Sequence, residues 1–489
     1  MALSRPWKVV LVTSAAVYLV ALDVTIVNIA FPDLTRSFPE TSPAALAWVL
    51  SAYSIAFAAS LLAAGRLADR YGRRRIFFTG LAVFSGASAA CGLAPSPELL
   101  IAGRVVQAIG GALVFPSSLA LLLPEFPVHR RSAAIGIWGA VGGVAAATGP
   151  SLGSLLVDWI SWRAVFFVNL PVTVAAWLAG RRLLVESSDP DADRLPDVVG
   201  GLLGTAAVAT FVLGIVQGDE WGYTDGRVVG AFAATFVLGP LFVLRCARHR
   251  SPILDLALFR MRFFTVANIA ILLFSIGFFA MLFVNINFLT RVWGWSILTA
   301  GLAFTPGPLM AAATAGPAGR LADRYGHARV VVPGTVLFVA GMLIYVAAVG
   351  AEPNYLPVYL PASLLVGAGV GFTISTISSA ATAFLPPTRY AMGSAFQATT
   401  RQIGAAMGIA VAVAVLGDVL AVGRQVAPDE AMRTFDRAWI VLAVAVALSG
   451  VVMAAFYRRP EVIPAAPPGA GTEPAPAAAT ATAAGTYAG

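Results

Sequence analysis

The sequence predicts an all-α polytopic membrane protein: two six-helix bundles with two additional transmembrane helices inserted between them. Three observations support this fold class. Hydrophobic residues make up 58% of the 489 and charged residues only 11%, against about 25% charged in a typical soluble chain. Apolar stretches long enough to cross a bilayer, ~20 residues in a helix, recur along the chain. The octapeptide GRLADRYG occurs at 65–72 and again at 319–326.

Fourteen apolar stretches are candidate membrane spans. They lie near residues 9–31, 46–65, 76–94, 98–123, 132–157, 164–182, 197–217, 228–246, 263–290, 298–318, 330–350, 357–385, 391–417 and 437–457. No small-x-small cleavage site follows the first stretch, so we expect a retained helix and not a signal peptide. After Arg459 the chain consists mainly of Pro, Ala, Gly and Thr, a composition that predicts a disordered tail.

The spacing of the octapeptides defines the domain organisation. One copy follows the second span and the other follows the tenth, whereas two plain six-helix repeats would place the copies six spans apart. Two helices are therefore inserted between repeated halves, the arrangement of a transporter with a central pathway. We predict an N-terminal bundle at 1–182, linkers and two inserted helices at 183–261, a C-terminal bundle at 262–457 and a cytoplasmic tail at 458–489.

The basic residues indicate topology. The formal net charge is +8, but the lysines and arginines are dispersed between apolar runs, which does not indicate a nucleic-acid partner. With the N-terminus inside, most of the 32 fall in inner loops. The positive-inside rule then places both termini in the cytoplasm. We expect a multi-pass protein of the cell membrane, in contact with the lipid bilayer and monomeric.

Several kinds of chemistry are excluded. Lys8 is the sole lysine, so a Walker A loop for ATP cannot form. The segment GPSLG at 149–153 matches a serine-hydrolase pattern, but it lies inside an apolar span and no strand precedes it. Cys91 and Cys246 lack metal-ligand spacing. We expect no enzyme activity, no cofactor and no metal.

The octapeptide is a candidate cytoplasmic gate. Its glycines permit close backbone approach or a sharp turn, and Asp69 is placed to cap the next helix or to pair with Arg73. A basic loop that serves only topology is the alternative, and the identity of the two copies argues against it. The predicted gating residues are Gly65, Asp69, Arg70, Gly72 and Arg73 in the first copy, and Gly319, Asp323, Arg324 and Gly326 in the second.

Two charges inside predicted spans are candidates for proton coupling. Asp23 lies deep in the first span, where an acid is costly and by default functional. Its alternative role is a structural hydrogen bond to a neighbouring helix. Arg104 cannot lose its proton and needs a partner, either Asp23 or backbone carbonyls.

Further polar residues and glycines in the spans complete the candidate set. Six side chains are candidates to line a cavity, although each is equally suited to joining helices: Asn28, Gln107, Asn285, Asn287, Gln397 and Arg401. In the fifth span, small residues and a helix-bending proline suit a tightly packed, movable helix. These are Gly136, Gly149, Pro150 and Gly153.

Beyond these properties, the chain resembles the major facilitator superfamily, and within it the fourteen-helix drug:proton antiporters. The resemblance rests on the octapeptide, LDVTIVNIAFP at 22–32, RVVQAIGGAL at 104–113, GPSLGS at 149–154, WRAVFFVNLP at 162–171 and RQIGAAMGIA at 401–410. Ala108, Ala145 and Ser154 stand where those motifs usually have glycine.

The resemblance implies a secondary transporter that exports small lipophilic substrates, including cationic ones, in exchange for protons. Two alternatives stay open. One is a lipid or metabolite exporter on the same scaffold. The other is a membrane receptor or scaffold that transports nothing, but this reading explains neither Asp23 nor Arg104.

Overall fold

The structure is a computed structural model that describes residues 4–188, 197–249, 251–420 and 427–458. Every long element in these ranges is helical. The α-helices are α1 Arg5–Ser37, α2 Pro43–Tyr71, α3 Arg73–Gly92, α4 Pro97–Leu122, α5 Arg131–Trp159, α6 Ala164–Phe167, α7 Asn169–Leu183, α8 Val198–Trp221, α9 Gly226–Arg248, α10 Arg262–Arg291, α11 Ile297–Phe304, α12 Pro306–Tyr325, α13 Ala328–Ala348, α14 Leu360–Thr382, α15 Tyr390–Leu420 and α16 Pro428–Phe456. The predicted tail from residue 459 onward, and residues 189–196 of the predicted linker, lie outside the described residues.

Within the described ranges, thirteen helical segments are long and apolar enough to cross a membrane. Of the predicted spans, only 298–318 is not among them. That stretch is divided between α11 and α12, because Pro306 has no backbone N–H and disfavours helical geometry at the residue before it. Helix α12 is also rich in glycine and proline and ends in charged residues, which lowers its mean hydropathy.

Local sequence explains where the helices begin and end. Ser42 and Ser96 accept hydrogen bonds from the amides of Ala45 and Leu99, and each is followed by a proline in the first turn. Serine caps of this kind, with proline just inside, are typical helix starts.

The two octapeptides end their helices in the same way. Gly72 ends α2 with a φ of 102° and Gly326 ends α12 with a φ of 91°. Left-handed backbone of this kind favours glycine, since a side chain would clash. The repeated sequence therefore forms a repeated turn.

Packing separates the helices into groups. Helices α1 to α4, α6 and α7 pack mainly within the α1 to α7 group, and α10 to α16 pack mainly against one another, whereas α5 packs against both α1 and α12. Helices α8 and α9 pack as a pair, and α8 also contacts α2 and α15. The inserted pair therefore lies beside the line along which α2 meets α15.

The two groups meet along a seam, which we define as the contacts of α5 with α12 and α14, and of α2 and α4 with α15. Glycines bring the backbones together there. A Cβ placed on Gly65 of α2 would lie 2.8 Å from the Ala391 carbonyl oxygen, and one on Gly143 of α5 would lie 2.9 Å from that of Pro308. Side chains larger than hydrogen would separate these helices.

Helix packing in the C-terminal group gives a stability test. A Cβ on Gly369 of α14 would lie 2.6 Å from the Phe338 amide nitrogen and 2.7 Å from the Gly334 carbonyl oxygen, both backbone atoms of α13. Because backbone cannot rotate aside, we expect Gly369→Ala to destabilise the protein by about 1–3 kcal/mol. A lower midpoint of thermal unfolding in detergent would report this loss.

Gly86→Ala is the matched control. A Cβ on Gly86 in α3 meets no atom within 4 Å, and alanine is the better helix former by about 1 kcal/mol. Equal unfolding midpoints for the two variants would contradict the packing account.

Candidate functional site

Asp23 and Arg104 form a buried ion pair in the N-terminal group. The Arg104 Nη1 donates to Asp23 Oδ2, and both side chains are almost completely buried. The other carboxylate oxygen accepts from Gln107 Nε2 at 2.7 Å and from Asn169 Nδ2 at 3.2 Å. The carboxylate thus accepts three hydrogen bonds, which suits its ionised, acceptor-only form.

The guanidinium is held equally closely. Arg104 Nε donates to the Val49 carbonyl at 3.1 Å, and Nη1 also donates to Gln107 Oε1 at 2.7 Å. The ring of Tyr53 lies 4.1 Å from the guanidinium carbon, in cation–π contact. Helices α1, α2, α4 and α7 therefore converge on one pair of charges.

Asn169 links this pair to a further helix. Its amide also donates to Ser88 Oγ at 3.0 Å, and Ser88 donates to the Phe166 carbonyl at 2.8 Å. A buried ion pair contributes little net stability, but removing one partner leaves an uncompensated charge and is strongly destabilising. The network therefore responds sharply to any change in the charge of Asp23.

The first octapeptide joins the two helix groups. Asp69 accepts from the Met392 amide at 2.9 Å, in the first turn of α15, and from Arg73 Nη2 at 2.7 Å. Arg73 in turn donates to the Pro387 carbonyl and lies over the Tyr390 ring. The carboxylate thus caps a helix of the opposite group, where the helix dipole favours negative charge.

The second octapeptide makes the reciprocal contact. Asp323 accepts from the Ser132 and Ala133 amides at 3.2 and 3.1 Å, in the first turn of α5. His327, in the register of Arg73, is buried with its Nε2 3.1 Å from Ser132 Oγ and 3.0 Å from Ser379 Oγ. We call the two contacts the Asp69 latch and the Asp323 latch.

The remaining octapeptide residues flank the latches. Arg70 lies over the Tyr71 ring at 5.0 Å, and Arg324 lies over the Tyr325 ring at 5.1 Å. Gly319 packs against the backbone of Ser132, as Gly65 packs against that of Ala391. Both octapeptides therefore lie at one end of the seam, which is held closed in this structure.

Helix α5 is packed tightly on two sides. Gly149 and Gly153 lie against Thr25 and Ile26 of α1, whereas Gly136 lies against the Ala315 backbone of α12. The side chain of Pro150 lies outside the described residues. Glycines at these contacts let α5 approach both neighbours closely.

The candidate cavity residues occupy different surroundings. Gln107 belongs to the Asp23 network, and buried Asn285 accepts from the Trp439 indole at 2.9 Å. Asn28 is exposed on α1 and Asn287 donates to a carbonyl of its own helix. Gln397 and Arg401 lie one turn apart on α15, beside the seam.

Sequence reasoning missed several residues of these contacts. Asn169, Ser88 and Tyr53 are polar residues in apolar spans, a signal shared with many structural residues. The Met392, Ser132 and Ala133 partners are backbone amides, and main-chain groups leave no trace in the sequence. His327 lies in a predicted loop, and only the repeat alignment with Arg73 indicates it.

Comparison with known protein families agrees with the repeated halves of this chain. The family model described as Major Facilitator Superfamily matches residues 13–408 and 267–486. The chain belongs to the major facilitator superfamily. Its members are transporters and not enzymes. Together with the many apolar helices of the chain, this family identifies a multi-pass protein of the plasma membrane.

Relatives place this transporter among the drug-efflux members. It is 35% identical over 410 residues to a tetracenomycin C resistance and export protein of Streptomyces glaucescens, covering 83% of this chain and 75% of that one. It is 34% identical over 410 residues to the multidrug resistance protein Stp of Mycobacterium tuberculosis, covering 84% and 75%. The fold is similar to that of the human organic anion transporter MFSD10, with a TM-score of 0.64, 16% identity and coverage of 92% and 100%.

The latches generate a test of the transporter's conformational equilibrium. Asp69→Asn removes a charged helix cap and the ion pair with Arg73, so we expect the two octapeptides to separate more often. Asp323→Asn should have a smaller effect, because the second copy has His327 at the position of Arg73. Spin labels at Tyr71 and Tyr325, both half exposed, would report the change as a larger fraction of long distances by double electron–electron resonance.

Asp225→Asn is the control, since Asp225 also caps a helix, α9, but lies away from the seam. The latch account is wrong if all three variants give the distance distribution of the unmodified chain.

Proposed function

We propose that the protein exports small lipophilic compounds from the cytoplasm in exchange for protons, by alternating access. The observation that carries this proposal is the buried Asp23–Arg104 pair, because a titratable acid sealed inside a membrane protein is a functional group by default. Relatives named for multidrug resistance and for antibiotic export support the direction of transport.

The proposed topology follows the sequence. Helices α11 and α12 together form one crossing, which makes fourteen, and both termini lie in the cytoplasm. Residues 1–182 and 262–457 are the two moving bundles, and α8 and α9 of the 183–261 segment flank them. One chain supplies both sides of the pathway, so a monomer suffices.

In this assignment the latches close the cytoplasmic side, and release of the latches opens it. A proton arriving from outside neutralises Asp23 and removes the partner charge of Arg104. The Val49 carbonyl and Gln107 still hold the guanidinium, but its charge is no longer compensated. The packing of α1, α4 and α7 around the pair then favours a different arrangement, in which the latches open.

The energy source is the proton gradient. A membrane potential of 100 mV supplies about 2.3 kcal/mol per charge moved, and a factor of ten in concentration corresponds to about 1.4 kcal/mol. One proton per cycle therefore supports a substrate gradient of some tens-fold.

Asp23→Asn tests the coupling. Asparagine retains the shape and can still accept from Arg104, but it cannot bind and release a proton. We expect the uncompensated charge of Arg104 to lower the stability of the variant. In proteoliposomes the folded variant should bind a neutral substrate within about threefold of the unmodified protein and lose uphill transport driven by a pH gradient.

Asp33→Asn is the matched control on the same helix. Asp33 pairs with Arg36 at 2.9 Å, but both side chains reach solvent, so this variant should transport normally. Uphill, proton-driven transport by Asp23→Asn would place the coupling site elsewhere.

A further inference from the structure

In the described part of the chain, Arg401 lacks the carboxylate partner that the buried cations Arg73 and Arg104 each have. It lies 11 residues into α15, about 16 Å from the helix start, and is partly buried. Arg73 and Arg104 each pair with an aspartate. Among the described residues, Arg401 makes neither an ion pair nor a hydrogen bond; its one polar-type contact is with the ring of Phe115, 5.0 Å from the guanidinium carbon.

No acid of α2, α4 or α15 is placed to neutralise Arg401. In α4 the sole acid is Glu98, in the first turn, and in α15 it is Asp418, near the far end. Asp69, the sole acid of α2, already binds Arg73 and the first turn of α15. A guanidinium stays charged under all physiological conditions. The described part of these three helices therefore leaves the Arg401 guanidinium without a carboxylate, and an anionic ligand could supply one.

The surroundings of Arg401 suit an aromatic molecule. Phe115 belongs to α4, across the seam, and its ring centroid lies 5.1 Å from that of Trp138 and 6.3 Å from that of Phe57, both edge-on. Gln397, one turn earlier on α15, makes only a long 3.5 Å hydrogen bond to the Ile377 carbonyl. An unpaired cation, a nearby amide and a cluster of aromatic rings thus meet where the two bundles come together.

Resting on the proposed export function, we propose that Arg401 recognises the negative charge of lipophilic aromatic acids, as carboxylates or phenolates, and that these are the preferred substrates. A guanidinium binds a carboxylate through two parallel N–H donors, and offset or edge-on aromatic contacts add to the affinity. A cationic substrate would instead be repelled at this point. The proposal therefore replaces the expectation of cationic substrates.

The location explains how such a site can load and empty. Because Arg401 is on α15 and Phe115 is on α4, any relative movement of the two bundles changes the distance between them. Ser394 Oγ, two turns before Arg401, lies 3.4 Å from the Pro116 carbonyl oxygen. Helices α15 and α4 are therefore in direct contact near this site. A ligand held between the guanidinium and the aromatic cluster would contact both bundles at once.

Binding to the purified protein, without a gradient, tests the proposal. The probes are 1-pyrenebutyrate, its neutral amide and the corresponding amine, which share one fluorescent ring system and differ in charge. We expect the unmodified protein to bind the carboxylate at least about tenfold more tightly than the amide, and the amine most weakly. Arg401→Gln should reduce the preference to within about twofold and leave the affinity for the amide unchanged.

Two further variants separate charge from structure. Arg401→Lys keeps the charge but not the paired donors, so it should retain part of the preference. Arg36→Gln removes an exposed positive charge and should retain the full preference for the carboxylate probe. The proposal is overturned if the unmodified protein binds the amine or the amide as tightly as the carboxylate. This comparison uses the unmodified protein alone, so it does not depend on whether a variant folds. Arg401→Gln protein that keeps the tenfold preference, or weakens all three probes equally, overturns it as well.

The outcome is distinguishable from failure of the export proposal. Suppose that Arg401→Gln abolishes the preference for the carboxylate, but the unmodified protein moves no substrate against a gradient. This result supports the Arg401 site and refutes proton-coupled export. Proton-driven transport without any preference among the probes refutes the site alone.

Discussion

A charge inside a bilayer is costly unless it is paired, and the Asp23–Arg104 pair is where this constraint acts most strongly. Satisfying both groups takes Gln107, Asn169, the Val49 carbonyl and the Tyr53 ring, which come from three helices, α2, α4 and α7. The core of the N-terminal bundle is therefore organised around one ion pair. Because each partner depends on the other, the protonation of one carboxylate can alter the packing of several helices.

The same constraint acts at the seam, but there the partners are helix ends. Asp69 binds the first turn of α15, and Asp323 binds the first turn of α5. Each bundle thus supplies a carboxylate to the other, and a repeated octapeptide yields two reciprocal latches. The copies differ where Arg73 is replaced by His327, whose Nε2 lies beside Ser132 Oγ and Ser379 Oγ.

Much of this arrangement could be predicted from sequence because its causes are local. Apolar length identifies the spans, the octapeptide spacing identifies the inserted pair, and an isolated acid identifies Asp23. The partners of Asp23 are harder to predict from the sequence. Asn169 resembles any polar residue in a span, the Met392 amide is backbone, and the direct contact of Arg104 with Asp23 depends on how α1 and α4 pack. The break before Pro306 shows a further limit, since residues 298–318 have the length of one span but contain proline.

The central claim is that Asp23 takes up and releases a proton during the transport cycle. Infrared difference spectroscopy on the purified protein observes this directly, through the carbonyl stretch of a protonated carboxylic acid. We expect acidification to produce such a band in the unmodified protein and substrate to remove it. The part of this band that substrate removes should be absent from Asp23→Asn protein and present in Asp33→Asn protein. A substrate-sensitive band of full intensity in Asp23→Asn protein would contradict the account.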